Sequence, residues 1–131
     1  MRLPFEEEDD ALALLPMAAR RALDRAGLKL SLAGWRSLPF EARRALVLAG
    51  AGQDVDEAHV RSLCEGAAPA AQPIAPLADV EGLPAAVREA GASEAQWQAL
   101  GPLARYALAS FARRGKTERL AEALAALRGR G

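Results

Sequence analysis

The sequence contains one cysteine, one histidine and few aromatic residues among its 131 positions. A single thiol, Cys64, cannot form an internal disulfide, and it cannot alone hold an iron–sulfur cluster or a structural zinc ion. A Cys–His nucleophile pair is not expected, because His59 lies five residues before Cys64 and the two side chains point apart on one helix. We therefore predict no catalytic residue, no metal site and no cofactor. A lone thiol also favours a reducing compartment.

Long hydrophobic runs are missing as well. No apolar stretch approaches the ~20 residues of a membrane-spanning helix, and the acidic N-terminal region does not resemble a signal peptide. The 17 basic and 17 acidic residues give a formal net charge of zero, which argues against a protein dedicated to nucleic acid or an acidic membrane surface. We predict a cytoplasmic protein that binds neither membranes nor nucleic acid.

Charge is nevertheless distributed unevenly along the chain. The run from Glu6 to Asp10 is acidic, and the stretch from Arg105 to Arg130 is mostly basic. Both can be solvated ends of the protein, or they can form a docking surface with opposite poles. On the second interpretation, the candidate interface residues are Arg105, Arg113, Arg114, Lys116 and Arg119.

Helix signals fill most of the chain, and hydrophobic residues make up 51% of it. Pro16 is expected at the first position of a helix that runs to Ala26 and carries Arg20 and Arg21 on its polar face. Leu28 to Leu30 reads as a short extended connector, and no segment predicts a convincing strand. Other helices are expected from Pro39 to about Ala49, from a cap at Asp54 through Leu63 or Cys64, from Pro84 to near Gly91, from a capping box of Ser93 and Gln96, from Pro102 to about Arg113, and from a cap at Thr117. The predicted class is all-α.

Comparison of the chain with itself indicates an internal repeat. Five residues recur 62 positions later: Ser31, Trp35, Leu38, Arg43 and Leu46 reappear as Ser93, Trp97, Leu100, Arg105 and Leu108. We predict one compact domain of two degenerate helical repeats, at about 15–50 and 83–115, packed with approximate pseudo-two-fold symmetry. An Ala/Pro-rich linker at about 66–80 joins them, and a C-terminal helix follows at about 117–128.

The two tryptophans can serve the core or an interface. Because few other aromatic residues are available to fill a core, we favour Trp35 and Trp97 as core anchors over interface hot spots, together with Leu38 and Leu100. Their neighbours Arg43 and Arg105 can cap carbonyl groups, pair with acids or face a partner.

Several of these residues resemble the nitrate reductase-associated protein family. The resemblance rests on Leu15-Pro16-Met17, on Gly27-Leu28-Lys29-Leu30-Ser31-Leu32 ahead of Trp35, and on Leu83-Pro84, Trp97, Leu100 and Leu103 to Leu108, and it extends from Phe5 to about Leu127. It implies a role beside an assimilatory nitrate reductase, an enzyme that carries molybdopterin guanine dinucleotide and an iron–sulfur cluster. Members are typically encoded near that enzyme, and a cyanobacterial branch is needed for its activity. The family provides no established catalytic residues.

The resemblance and the residues together favour a non-catalytic accessory subunit or activator that binds a molybdenum nitrate reductase. One alternative is a maturation chaperone that holds the apo-enzyme during insertion of the molybdenum cofactor. A further alternative is a small helical regulatory or adaptor domain, for which nucleic-acid binding through Arg105 to Arg130 is the version that needs testing.

Overall fold

The computed structural model describes residues 3–6 and 11–128. This part is mostly helical, which confirms the predicted class in its coarser form. Its eight helices are α1 (Met17–Ala26), α2 (Leu32–Ser37), α3 (Phe40–Ala51), α4 (Glu57–Leu63), α5 (Ala85–Glu89), α6 (Glu94–Ala99), α7 (Pro102–Arg113) and α8 (Thr117–Arg128). A small sheet of β1 (Leu28–Lys29) and β2 (Gln72–Pro73) is additional to the prediction. Within the described residues the chain forms two compact units, the first of residues 11–78 and the second of residues 3–6 and 79–128.

In the first unit, α1 and α3 cross closely because small residues face each other. Ala18 of α1 is fully buried, and a Cβ atom on Gly50 of α3 would lie 1.6 Å from the Ala18 carbonyl oxygen. Arg21 is fully buried beside this crossing. Its guanidinium donates to three backbone carbonyl oxygens at the end of α3, those of Gly50, Gly52 and Gln53, at 2.5 to 2.9 Å. These bonds satisfy carbonyl groups that a helix end leaves without partners.

The sheet attaches the Ala/Pro-rich segment to the end of α1. β1 and β2 are antiparallel, with Leu28 opposite Pro73 and Lys29 opposite Gln72. The Ile74 N–H donates to the Gly27 carbonyl oxygen at 2.8 Å. Residues 66–78 of the predicted linker at about 66–80 belong to the first unit, and most of them are exposed. Pairing with β1 gives these backbone groups the partners that a bare linker would lack.

In the second unit, α7 provides most of the core. It begins at Pro102 and ends at Arg113, as the sequence predicts, and residues 106–111 are all buried. Helix α8 contacts α7 and buries Leu120 and Leu124. Phe5 packs edge-on against Phe111, with ring centroids 5.8 Å apart.

The cap of α4 was predicted wrongly. Asp56, and not Asp54, precedes the helix, and its Oδ1 atom accepts a hydrogen bond from the His59 N–H at 3.1 Å. This start places Val55 and Val60, both buried, at the two positions of a hydrophobic staple. Shifts of one residue occur where Pro16, Pro39 and Pro84 immediately precede α1, α3 and α5, and where Thr117 begins α8 instead of capping it.

Candidate functional site

Trp35 joins α2 to the segment that leads into α1. The side chain has no exposed surface, and its indole Nε1 donates to the Leu12 carbonyl oxygen at 2.7 Å. Ser31 caps α2, since its hydroxyl oxygen accepts a hydrogen bond from the Gly34 N–H at 3.0 Å. Trp35 is therefore a buried anchor of the first unit.

Trp97 is buried and hydrogen-bonded through its indole in the corresponding way in the second unit. It is fully buried in α6, and its Nε1 donates to the Glu81 carbonyl oxygen at 3.0 Å. The Ser93 hydroxyl oxygen accepts a hydrogen bond from the Gln96 N–H at 3.1 Å. The Gln96 side-chain nitrogen Nε2 is buried and has no hydrogen-bond partner in the described structure.

The two leucines proposed as core anchors differ in burial. Leu38 is buried, with 3% of its surface exposed, whereas Leu100 is half-buried. Each follows its tryptophan by three residues, and each backbone N–H donates to the carbonyl oxygen of that tryptophan, at 3.2 Å for Leu38 and 3.1 Å for Leu100. Leu100 therefore contributes less to the core than expected.

Arg43 and Arg105 cap backbone carbonyl groups. Arg43 Nη1 donates to Ala11 and Leu12 at 3.0 and 2.8 Å. In the second unit, Arg105 donates to Trp97 and Gln98 at 3.1 and 3.2 Å, and its guanidinium carbon lies 5.6 Å from the centroid of the Trp97 ring. Arg105 is half-buried, and these contacts hold it against α6, whereas its predicted place at an interface stays a prediction.

The other four interface candidates form one exposed cluster, which we name the basic turn: Arg113, Arg114, Lys116 and Arg119. Arg113 ends α7, Lys116 precedes α8, and Gly115 between them has a φ of +68°. The Lys116 N–H donates to the Phe111 carbonyl oxygen at 2.9 Å. The Arg119 guanidinium lies 5.5 Å from the Phe111 ring centroid. The turn is thus fixed by backbone hydrogen bonds while its charges face solvent.

Cys64 and His59, the only cysteine and histidine of the sequence, lie in different environments. Cys64 is buried, and this burial raises the pKa of its thiol, whereas His59 is exposed. In residues 3–6 and 11–128, no group of three or more His, Cys, Asp or Glu side chains is arranged to hold a metal ion. No helix in this part of the chain is long and apolar enough to span a membrane. Glu7 to Asp10 of the acidic run and Arg130 lie outside the described residues.

Sequence reasoning missed the role of Arg21. It was placed on the polar face of α1, but the side chain is fully buried. A signal was present, because Arg21 follows Ala18 by three residues and so lies on the same helix face as that alanine. The identity of its three carbonyl partners depends on how α3 ends, which residue spacing along α1 does not reveal.

Comparison with known proteins identifies the family of this chain. The model of the family described as conserved nitrate reductase-associated protein matches residues 3–127. The chain belongs to this family, and the resemblance noted in its sequence is confirmed. No curated protein and no solved structure matches it.

Proposed function

We propose that this member of the family is a non-catalytic accessory subunit or activator that binds an assimilatory molybdenum nitrate reductase. The observation that carries the proposal is the family match, which covers residues 3–127 and therefore both compact units. The family description names association with nitrate reductase. Binding, activation and the molybdenum enzyme as partner go beyond that description and belong to the proposal.

The contacts of the chemically distinctive side chains support a binding role. Both tryptophans are buried and hydrogen-bonded to backbone carbonyl oxygens, and Cys64 is buried with a raised thiol pKa. The two tryptophans hold α2 and α6 to segments that precede them in the chain, whereas the cations of the basic turn face solvent. We propose that the protein acts in the cytoplasm as a preformed surface that stabilises the mature reductase or shapes the site where its electron donor docks.

We also propose that the two tryptophan-bearing segments are degenerate copies of one unit. Each has a serine-capped six-residue helix, a buried tryptophan bonded to a carbonyl oxygen upstream, and a twelve-residue helix that follows. Their packing about a pseudo-two-fold axis stays a prediction.

Co-purification tests the proposed function. The tagged full-length protein is expressed in nitrate-grown cells of its own organism, and the recovered material is assayed for molybdenum and for nitrate reductase activity. We expect the reductase to co-purify in a stoichiometric complex. Recovery of no molybdoenzyme contradicts the proposal.

A second arm separates the accessory subunit from the maturation chaperone. Cells grown with tungstate in place of molybdate accumulate reductase without an active cofactor. An accessory subunit is expected to bind the holo-enzyme stably, whereas binding to the cofactor-free enzyme alone indicates the chaperone.

A further inference from the structure

The basic turn concentrates positive charge that has no acidic partner in the described structure. Most of the other described arginines have partners. Five donate hydrogen bonds to backbone carbonyl oxygens: Arg21, Arg36, Arg43, Arg105 and Arg128. Two form ion pairs with glutamates: Arg61 and Arg88. Within the described structure, none of the four cations of the basic turn forms an ion pair or a side-chain hydrogen bond. Four like charges at one turn repel each other, so an opposite charge brought to them is stabilised.

Stability explains only part of this cluster. Arg113 and Arg114 lie at the C-terminal end of α7, where the helix dipole favours cations. Lys116 and Arg119 lie at the N-terminal end of α8, where the same dipole disfavours them. Arg119 gains a contact with the Phe111 ring, whereas the Lys116 side chain forms no ion pair or hydrogen bond within the described residues. A residue that destabilises the helix it belongs to is expected at sites that serve a function.

The turn is also preorganised for binding. The N–H groups of Arg114, Gly115 and Lys116 donate to carbonyl oxygens in the last turn of α7 at 2.9 to 3.2 Å. Beneath the turn, Phe111 is buried and packs against Phe5. Little backbone order has to be gained on binding, and this lowers the entropic cost of association.

We propose that the basic turn is the docking surface of this protein and that it binds a cluster of aspartate and glutamate side chains on a partner protein. The inference rests on the proposed function, under which that partner is the reductase. Two observations favour a protein over nucleic acid: the chain has zero net charge, and exposed Glu118 and Glu122 interrupt the basic surface on α8. A polyphosphate backbone would meet these carboxylates as it extended beyond the turn.

A double charge reversal tests the surface. Arg114→Glu with Lys116→Glu is compared with Lys29→Glu with Arg44→Glu, a control that changes the net charge equally at two exposed residues of the first unit. The test variant should fold, because a glutamate is disfavoured at the end of α7 but favoured at the start of α8. Far-UV circular dichroism and urea unfolding verify this.

Binding of each purified protein to the immobilised reductase is measured by surface plasmon resonance at about 50 and about 300 mM NaCl. At low salt we expect Kd to rise about ten-fold or more for the Arg114→Glu, Lys116→Glu variant and less than about three-fold for the control. The wild-type Kd should rise with salt.

Each other outcome overturns the inference in a recognisable way. Equal binding by wild type and test variant shows that the reductase binds elsewhere, and the proposed function stands. Equal weakening of both double variants shows that only net charge matters. Low-salt binding of a 20-base-pair duplex that the test reversal alone abolishes assigns the turn to nucleic acid. Failure of the wild type to bind the reductase overturns the proposed function together with this surface.

Discussion

Long side chains that carry a hydrogen-bond donor at their end fix the positions of the helices in this protein. Trp35, Trp97 and Arg43 each reach a backbone carbonyl oxygen in a segment that precedes a helix, and Arg21 and Arg105 reach carbonyl oxygens at helix ends. Short helices such as α2 and α6 gain little stability from their own few hydrogen bonds. The stability of these elements therefore depends on a small number of side chains.

Replacement of Trp97 by phenylalanine tests the indole hydrogen bond. The change removes the donor to the Glu81 carbonyl oxygen and leaves a small cavity, so we expect a loss of about 1–3 kcal/mol in the free energy of unfolding. Urea unfolding measures it. The control Leu48→Ala, at a side chain that is 56% exposed, should change stability by less than about 0.5 kcal/mol. Unchanged stability of the Trp97→Phe variant would contradict the anchoring role.

Arg21→Lys tests the need for a planar guanidinium. A lysine ammonium is a compact donor that cannot reach the three carbonyl oxygens of α3 and the loop after it from one position. We expect a loss of about 2–3 kcal/mol, since the bonds involve a charged donor and a buried side chain. Arg44→Lys, on the exposed face of α3, is the matched control and should be close to neutral. Equal stability of the two variants would show that charge alone suffices at Arg21.

The thiol of Cys64 predicts a component of stability that depends on pH. Burial raises its pKa, so the unfolded chain releases this proton at a lower pH than the folded protein does. The stability that Cys64 contributes is therefore complete below the ordinary thiol pKa, about 8.5, and is lost as the pH rises above it. The difference in unfolding free energy between wild type and Cys64→Ala should shrink between about pH 7 and about pH 10. A constant difference would indicate a thiol that titrates as in water.

The helices and strands differ in how accurately they could be predicted from the sequence. Helix α7 was predicted from its first to its last residue, because Pro102 sets its start and apolar residues recur along it at helical spacing. The β1–β2 pair was not predicted, because Gln72 and Pro73 carry no strand signal and their partners lie far away in the chain. In the candidate site, the exposure of the basic turn could be predicted, because charged residues dominate it. The hydrogen bonds of Arg105 to α6 could not, because they depend on how α6 packs against α7.

The crossing of α1 and α3 predicts strong sensitivity to a single methyl group. In Gly50→Ala the new Cβ would meet the Ala18 carbonyl oxygen at 1.6 Å, so the two helices must separate. We expect a loss of about 3 kcal/mol or more, at the upper end of the cost of overpacking, because backbone and not a flexible side chain has to move. Gly66→Ala is the control, since nothing lies within 4 Å of its added Cβ. Thermal unfolding followed by circular dichroism distinguishes the two, and similar midpoints would contradict the close crossing.

For the whole molecule, the prediction of one domain implies that both compact units unfold together in one cooperative transition. The two compact units each contain one of the two tryptophans, so a single replacement leaves a fluorescent reporter in one unit only. In the Trp97→Phe variant, Trp35 fluorescence reports the first unit while far-UV circular dichroism reports the helices of both. A single domain unfolds in one step, so both signals should give the same urea midpoint, and that midpoint should be lower than in wild type although the change lies in the second unit. If fluorescence keeps the wild-type midpoint while circular dichroism shows an earlier transition, the units unfold independently and the chain consists of two domains.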